Sequence, residues 1–378
     1  MLGTIPVIRV NYTIRQLIKA AFVGSRSNKY QELLMKSIGT YFSTENVLLT
    51  SSARCAIYQI VRSLPQNKVV VPAYTCEVVI EAVVLAGKEV IYADVAKDTL
   101  NIKAYPELDS DTIVIATHQY GILSEMESLV EECKKTGAVL IEDCAGSLGG
   151  RINGQLTGTF GDYGVFSFSA SKTIHSPTKG GFIIAQTKEA LDAIKPLPDI
   201  SSNKNEFKLK QLLKGVGFCL AKNRCLSSIL YRHSGKKHQG TSPNPNPEKD
   251  YSYHHEFYEW QAYVVLKQFA DLEDILNERR DLFKKYDENI AISSIAKPIV
   301  QSEGVCIRYP ILVPNREEFL EQCRRQHISA GTGYNKLYCP KDFKIAHAVS
   351  KEIVYLPFGN GYSKKEIAHV IKVINSIQ

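Results

Sequence analysis

The sequence predicts an α/β protein, with a mostly parallel sheet in a large first domain and a small α/β domain at the C-terminal end. Three observations lead there. Between residue 45 and about residue 190, short apolar runs alternate with helix-patterned stretches, the pattern that crossover connections between parallel strands impose. The 378 residues, 44% hydrophobic and 22% charged, have the size and composition of an ordinary soluble globular protein with room for one large and one smaller domain. Residues 238–250, HQGTSPNPNPEKD, form a Pro/Asn/Ser linker that reads as loop. The expected division is residues 1–250 and 251–378.

Taken in order, strand-like runs fall at Val69–Val71, Val90–Ala93, Ile113–Ala116, Val139–Ile141, Val165–Phe168 and Phe182–Ala185. Helical stretches lie between them at Cys55–Leu64, Glu77–Leu85 and Glu125–Lys135. After the linker, Glu256–Tyr286 reads as one long amphipathic helix. Two strand-like and two helical pieces follow, in RYPILVP, KEIVYLPF, REEFLEQCRRQ and SKKEIAHVIKVINSI.

The start, MLGTIPVIRVNYTIRQLIKAAF, has scattered charge and no apolar core run, so no secretory leader is read there. No stretch approaches the ~20 apolar residues of a spanning helix. Nine scattered cysteines, an odd number with no C-x-x-C pair, argue against a disulfide framework or metal cage and for a reducing cytoplasm. The net charge of +7 is local. Residues 204–237 hold nine Lys and Arg against Glu206, a charge of +8, which leaves the rest close to −1. A chain so balanced elsewhere is not read as a nucleic-acid binder. Within the atypical segment at about 200–250, Leu209, Leu212, Leu213, Val216 and Leu220 recur at helical spacing. Such a basic amphipathic stretch lies on an anionic membrane surface or packs against the protein's own core or a second subunit. Gly215 and Gly217 weaken the helix and weigh toward packing.

The chemistry concentrates at strand ends, where ligands collect in such sheets. Lys172 follows the apolar strand of GVFSFSASK, with Ser167 and Ser169 before it; Lys179, nearer the Gly180–Gly181 pair, is its rival. Asp143 closes the apolar run VLIED, where a carboxylate needs a partner to offset its desolvation. A helix cap is one partner; a pyridinium nitrogen is the other. Together, a Schiff-base lysine and an acid for a ring nitrogen are the pattern of pyridoxal 5'-phosphate (PLP) chemistry. Ser51 or Ser52 can cap the helix that follows, whose unpaired N–H groups suit a phosphate. His118, at a strand end, either faces the cofactor or is a satisfied structural histidine.

In this order and spacing, SSARCAIYQI, VVVPAYTCEVVIEAVVLAGKEVIYADV, THQYGILSEMESLVEECKKTGAVLIEDCAG and GQLTGTFGDYGVFSFSASK…KGG resemble the DegT/StrS-type PLP-dependent sugar aminotransferases, a branch of fold-type I. The C-terminal segments YPILVPNREEFLEQCRRQHISAG and IVYLPFGNGYSKKEI are similar too. The resemblance selects Lys172 over Lys179 as the Schiff-base lysine and the base for the 1,3-proton transfer. It places Ser167, Ser52, Ala53 and Arg54 at the cofactor phosphate, Asp143 at the pyridine nitrogen and Cys76 at the ring. It implies a keto-sugar substrate, nucleotide-linked, with glutamate as amino donor, and a homodimer with shared active sites. Three departures stand out: Gly146 where the family carries Gln or His, Cys76 in place of an aromatic, and His254, His255 and Glu256 where a partner-subunit phosphate contact belongs. The alternatives they hold open are a non-catalytic PLP-fold protein and another PLP-dependent sugar reaction.

Overall fold

Two helices, α1 (Ile14–Ala21) and α2 (Lys29–Phe42), precede the main sheet. The computed structural model describes residues 3–24, 27–197, 204–228, 256–292, 295–301 and 303–377. Thr13 caps α1 in a reciprocal box with Gln16. The sheet unit runs β1 (Val47–Thr50), α3 (Ala53–Ser63), β2 (Lys68–Pro72), α4 (Glu77–Leu85), β3 (Glu89–Ala93), β4 (Thr112–Thr117), α5 (Met126–Thr136) and β5 (Val139–Asp143). A short hairpin, β6 (Arg151–Ile152) and β7 (Gln155–Leu156), leads to β8 (Tyr163–Ser167) and β9 (Gly181–Ala185).

Seven of these strands form one sheet in the order β1-β9-β8-β5-β4-β2-β3. Neighbours from β3 to β8 are parallel, and only β9 runs against both β8 and β1. The expected α/β fold with a mostly parallel sheet is therefore the observed one. Strand side chains alternate between two apolar layers. Val69, Val71, Ile113, Ile115 and Ile141 pack with α3 and α4. Val70, Val114, Ala116 and Leu140 pack on the other face with Met126, Leu129 and Cys133 of α5. Burial on both faces is why these strands read as continuous Val/Ile/Leu runs.

Beyond β9 come α6 (Lys188–Asp192) and α7 (Lys204–Leu220), then α8 (Glu259–Phe269) and α9 (Leu272–Asn289). The single helix expected over Glu256–Tyr286 is two, broken at Ala270–Asp271. The two halves differ in burial: nine of the eleven residues of α8 are buried, whereas α9 is amphipathic. A three-stranded antiparallel sheet, order β10-β12-β11, ends the chain: β10 (Tyr309–Leu312), α10 (Arg316–Arg325), β11 (Gly331–Thr332), α11 (Lys344–Glu352), β12 (Ile353–Leu356) and α12 (Lys364–Ile374). Its core, with Tyr309, Ile311, Val354, Leu356 and Phe358, is continuous with Tyr74 and Tyr120 of the large sheet unit.

Helix α7 packs on the protein through a narrow seam. Leu212 is buried, and a side chain at Gly215 would meet Leu17 of α1 and Pro177. Lys208 Nζ donates to the carbonyls of Ala21 and Val23, at the end of α1, both at 2.8 Å. Part of the basic excess thus caps a helix C-terminus. Leu209 and Leu213 point outward, 60% and 63% exposed, so the predicted apolar stripe divides between the core and the surface. Among the described residues no helix is long and apolar enough to cross a membrane.

Candidate active site

The carboxyl ends of β4, β5 and β8, the start of α3 and the three-stranded sheet enclose a cavity of about 390 Å³. All seven residues predicted for the site, Ser52, Ala53, Arg54, Cys76, Asp143, Ser167 and Lys172, line it. So do Ser169, His118 and the rival Lys179.

Asp143 is the last residue of β5 and is buried. One oxygen accepts from Ala145 N–H at 3.0 Å; the other has no partner among the described residues. Burial raises its carboxyl pKa, while Lys172, the Ala145 N–H and His118 pull it down. Lys172 is half-buried, and its amine makes no hydrogen bond among the described residues. Burial lowers its ammonium pKa; Asp143 and Cys76 raise it, and Arg308 lowers it. Two groups of opposite sign thus face one cavity, each pushed toward neutrality by lost water.

The backbone around Lys172 is held from several sides. Lys172 N–H donates to Ser169 O at 3.0 Å, Ser176 N–H to Phe168 O at 2.7 Å, and Phe168 N–H to Gly180 O at 2.7 Å. Gln268 donates to His175 O at 2.7 Å and Arg279 to Lys172 O at 3.3 Å. Lys179 is exposed, although its carbonyl also accepts from Gln261 at 2.9 Å.

Ser52 caps α3, its hydroxyl accepting from Cys55 N–H at 3.1 Å. The Ala53 N–H is left without a partner among the described residues and opens toward the cavity with the Ser167 and Ser169 hydroxyls. This is an anion cradle at a helix N-terminus. Gly181, at the start of β9, permits the close approach: a Cβ there would lie 2.9 Å from Ala53 N. Arg54 turns its guanidinium to Glu81 of α4 at 3.4 Å, so at the cavity it contributes backbone rather than a free charge. An orphan carboxylate oxygen, an unpaired amine and this cradle suit an aldehyde cofactor with a basic ring nitrogen and a phosphate. The residues present fit PLP.

Other predicted positions fall differently. Both ring nitrogens of His118 are committed: Nδ1 accepts from Ser124 N–H at 3.0 Å and Nε2 donates to Glu142 Oε2 at 3.2 Å. The satisfied structural reading describes those nitrogens, although the residue lines the cavity. Glu142 also accepts from the N–H groups of Gly158, Phe160 and Gly161 at 2.7, 2.6 and 3.1 Å. His118, Glu142 and Cys144 lie close enough to suggest a metal site, yet this carboxylate is saturated by backbone donors. Gly146 has a steric reason: a Cβ would lie 3.0 Å from His118 O and 3.1 Å from Gly121 N, because the Tyr120 turn, with Tyr120 at φ 57°, packs against it. His254 and His255 lie outside the described residues; Glu256 is exposed and pairs with Lys204 at 3.7 Å. Outside the motif positions Cys76 and Cys144, the thiols of Cys55, Cys133, Cys306, Cys323 and Cys339 are buried, Cys219 is half-buried and Cys225 exposed.

The far wall was not predicted. Tyr334 stacks near Tyr120 (centroids 6.0 Å, 15° between planes) and Tyr74 (5.1 Å), and the Tyr74 and Tyr120 hydroxyls share a hydrogen bond of 2.8 Å. An aromatic wall therefore exists despite Cys76, supplied largely by the C-terminal sheet. Arg308 and Tyr355 complete it. The signal for Arg308 was available: a cation inside the apolar run GVCIRYPILV, as Asp143 is an anion inside VLIED.

Sheet, cradle and lysine–aspartate pair together define a fold-type I α/β protein of the sugar-aminotransferase kind. The chain belongs to the DegT/DnrJ/EryC1/StrS aminotransferase family, whose model matches residues 11–375. It is 27% identical to GDP-perosamine synthase of Vibrio cholerae over 186 residues, which cover 47% of this chain and 50% of that protein. The match thus spans about half of that relative's length. It is 25% identical over 324 residues to dTDP-3-amino-3,6-dideoxy-alpha-D-galactopyranose transaminase of Aneurinibacillus thermoaerophilus, covering 82% and 78%. In fold it is similar to Spr1654 of Streptococcus pneumoniae in its PLP form, with TM-score 0.73, 19% identity and coverage of 99% and 98%; a PMP form is similar to the same degree.

Proposed function

We propose that the protein is a PLP-dependent aminotransferase that converts a keto-sugar, nucleotide-linked, to an amino sugar for polysaccharide or glycoconjugate synthesis, with glutamate as amino donor. The observation that carries this reading is the pair Asp143 and Lys172, each with an unpartnered polar atom, at one cavity beside the α3 N-terminus. Family membership and the sugar transaminases among the relatives support the substrate class.

PLP bound here would supply an electron sink for the carbanion formed next to the transferred nitrogen. The protein's own groups do the rest. Ser52, Ala53, Arg54 and Ser167 would hold the phosphate through the α3 N-terminus and a hydroxyl. Asp143 would keep a proton on the ring nitrogen through its unpartnered oxygen. Lys172 Nζ, poised toward its neutral form by burial, takes the proton from the substrate carbon and returns it one position along. Cys76 and the tyrosine wall limit access of water. In this reading the enzyme works as a homodimer with shared sites, in the reducing cytoplasm; nine thiols with no disulfide support that compartment.

The test is direct. Purified protein with PLP and L-glutamate is given a panel of nucleotide-linked 3-keto and 4-keto sugars. Amino-sugar product and 2-oxoglutarate in equal amounts are expected from at least one. No product from any, with the fold intact, would favour the non-catalytic reading.

A further inference from the structure

Arg308, immediately before β10, is 6% exposed and lines the cavity. Among the described residues its guanidinium has no hydrogen-bond or carboxylate partner. It lies over the face of the Tyr355 ring, 4.7 Å from the centroid. A second buried cation adds to the imbalance. Among the described residues Arg279 donates only to the carbonyls of Cys306 and Lys172, at 3.4 and 3.3 Å, and its Nε has no partner there. Its pKa is lowered to about 10, first by burial and then by Arg308. A buried arginine without an anion is costly, so this corner is built to receive one.

We propose that Arg308 is the site for a carboxylate, that of the amino donor, held by its planar fork against the Tyr355 ring. The assignment rests on the aminotransferase reading above and names a ligand group for it. Two observations favour the donor. Arg308 acts electrostatically on Lys172, so an anion on it sits close to the reacting centre. In an α-amino acid the carboxylate is one bond from the carbon that carries the nitrogen; in a nucleotide-linked sugar the ring separates the phosphates from the keto carbon. The phosphate of the cofactor has its own cradle at α3, formed by different elements.

The experiment is calorimetric binding of glutarate, a dicarboxylate that cannot react, to PLP-loaded wild type and to Arg308→Gln and Arg308→Lys. Wild type is expected to bind it, Arg308→Gln about tenfold to hundredfold more weakly, and Arg308→Lys in between. The visible band of the bound cofactor and the melting temperature of each variant report that the site is intact. In parallel, the L-glutamate half-reaction should lose affinity in Arg308→Gln by a similar factor. Glutarate binding unchanged in Arg308→Gln, or lost binding of a nucleoside diphosphate instead, would overturn the assignment. Weakened glutarate binding with an unaltered glutamate half-reaction would keep the carboxylate site and move its source to the sugar. Wild type that binds glutarate yet shows no cofactor band would sink the aminotransferase reading and leave the carboxylate site standing.

Discussion

The two sides of the cavity were built in different ways. Asp143, Lys172, Ser167 and Ser52 come from strand ends and one helix start within a single sheet, each beside an apolar run that marks it. Arg308, Tyr334 and Tyr355 come from a second sheet more than a hundred residues later, and the backbone between brings them back. The first side holds fixed charge in fixed positions. The second supplies aromatic surface and the Arg308 cation, unpaired among the described residues, and that is where specificity for a reacting partner can vary while the chemistry stays constant.

Six substitutions break or sharpen this contrast. Lys172→Ala, on the sheet side, should lower turnover by about 10³-fold or more while the protein still melts cooperatively, since proton transfer loses its base; steady-state amination and calorimetry read both. Glu142→Gln turns one carboxylate oxygen into an NH2 facing N–H donors, where Oε1 now accepts from Phe160 and Gly161 and Oε2 from Gly158 and His118. Urea unfolding should show a loss of about 3–5 kcal/mol. At the junction of the two sides, Gly146→Gln restores the residue type that the resemblance implies but pushes on the Tyr120 turn; about 1–3 kcal/mol of stability should go. On the tyrosine side, Tyr74→Phe deletes one buried hydroxyl pair and should cost about 1 kcal/mol by the same measurement.

The smallest effect is a pH shift. Burial depresses the Lys172 pKa and Asp143 opposes it, so Asp143→Asn should move the pH midpoint of Lys172 labelling in cofactor-free protein downward, and Arg308→Gln upward. The sign for stability follows. A lysine with a depressed folded pKa favours the folded state above its unfolded pKa near 10.5, and loses that contribution as pH falls through the folded value. An unchanged midpoint in Asp143→Asn would mean that the two groups do not sense each other.

What could be read from the sequence follows the same divide. The parallel strands were legible because double-sided burial leaves uninterrupted Val/Ile runs, and Lys172 and Asp143 because polar groups at the ends of such runs stand out. The break at Ala270–Asp271 was not, since apolar residues recur at helical spacing on both sides of it and nothing like proline marks the turn. Helices α1 and α2 went unread: α1 is short, and no strand run frames either. Tyr334 and Tyr355 carried no local mark, because their role comes from the register of β11 and β12, which pairs Gly331 with Tyr355 beside the large sheet unit. Gly146 read as a departure in the chemistry; it is a packing requirement of a turn 25 residues upstream.

The central claim is that Lys172 is the residue that attaches the cofactor. The decisive measurement is the visible spectrum of the protein with PLP, before and after borohydride, with the labelled peptide mapped by mass spectrometry. The account predicts a band that borohydride abolishes and a label on Lys172. Label on Lys179 or elsewhere, or no band at all, would contradict it.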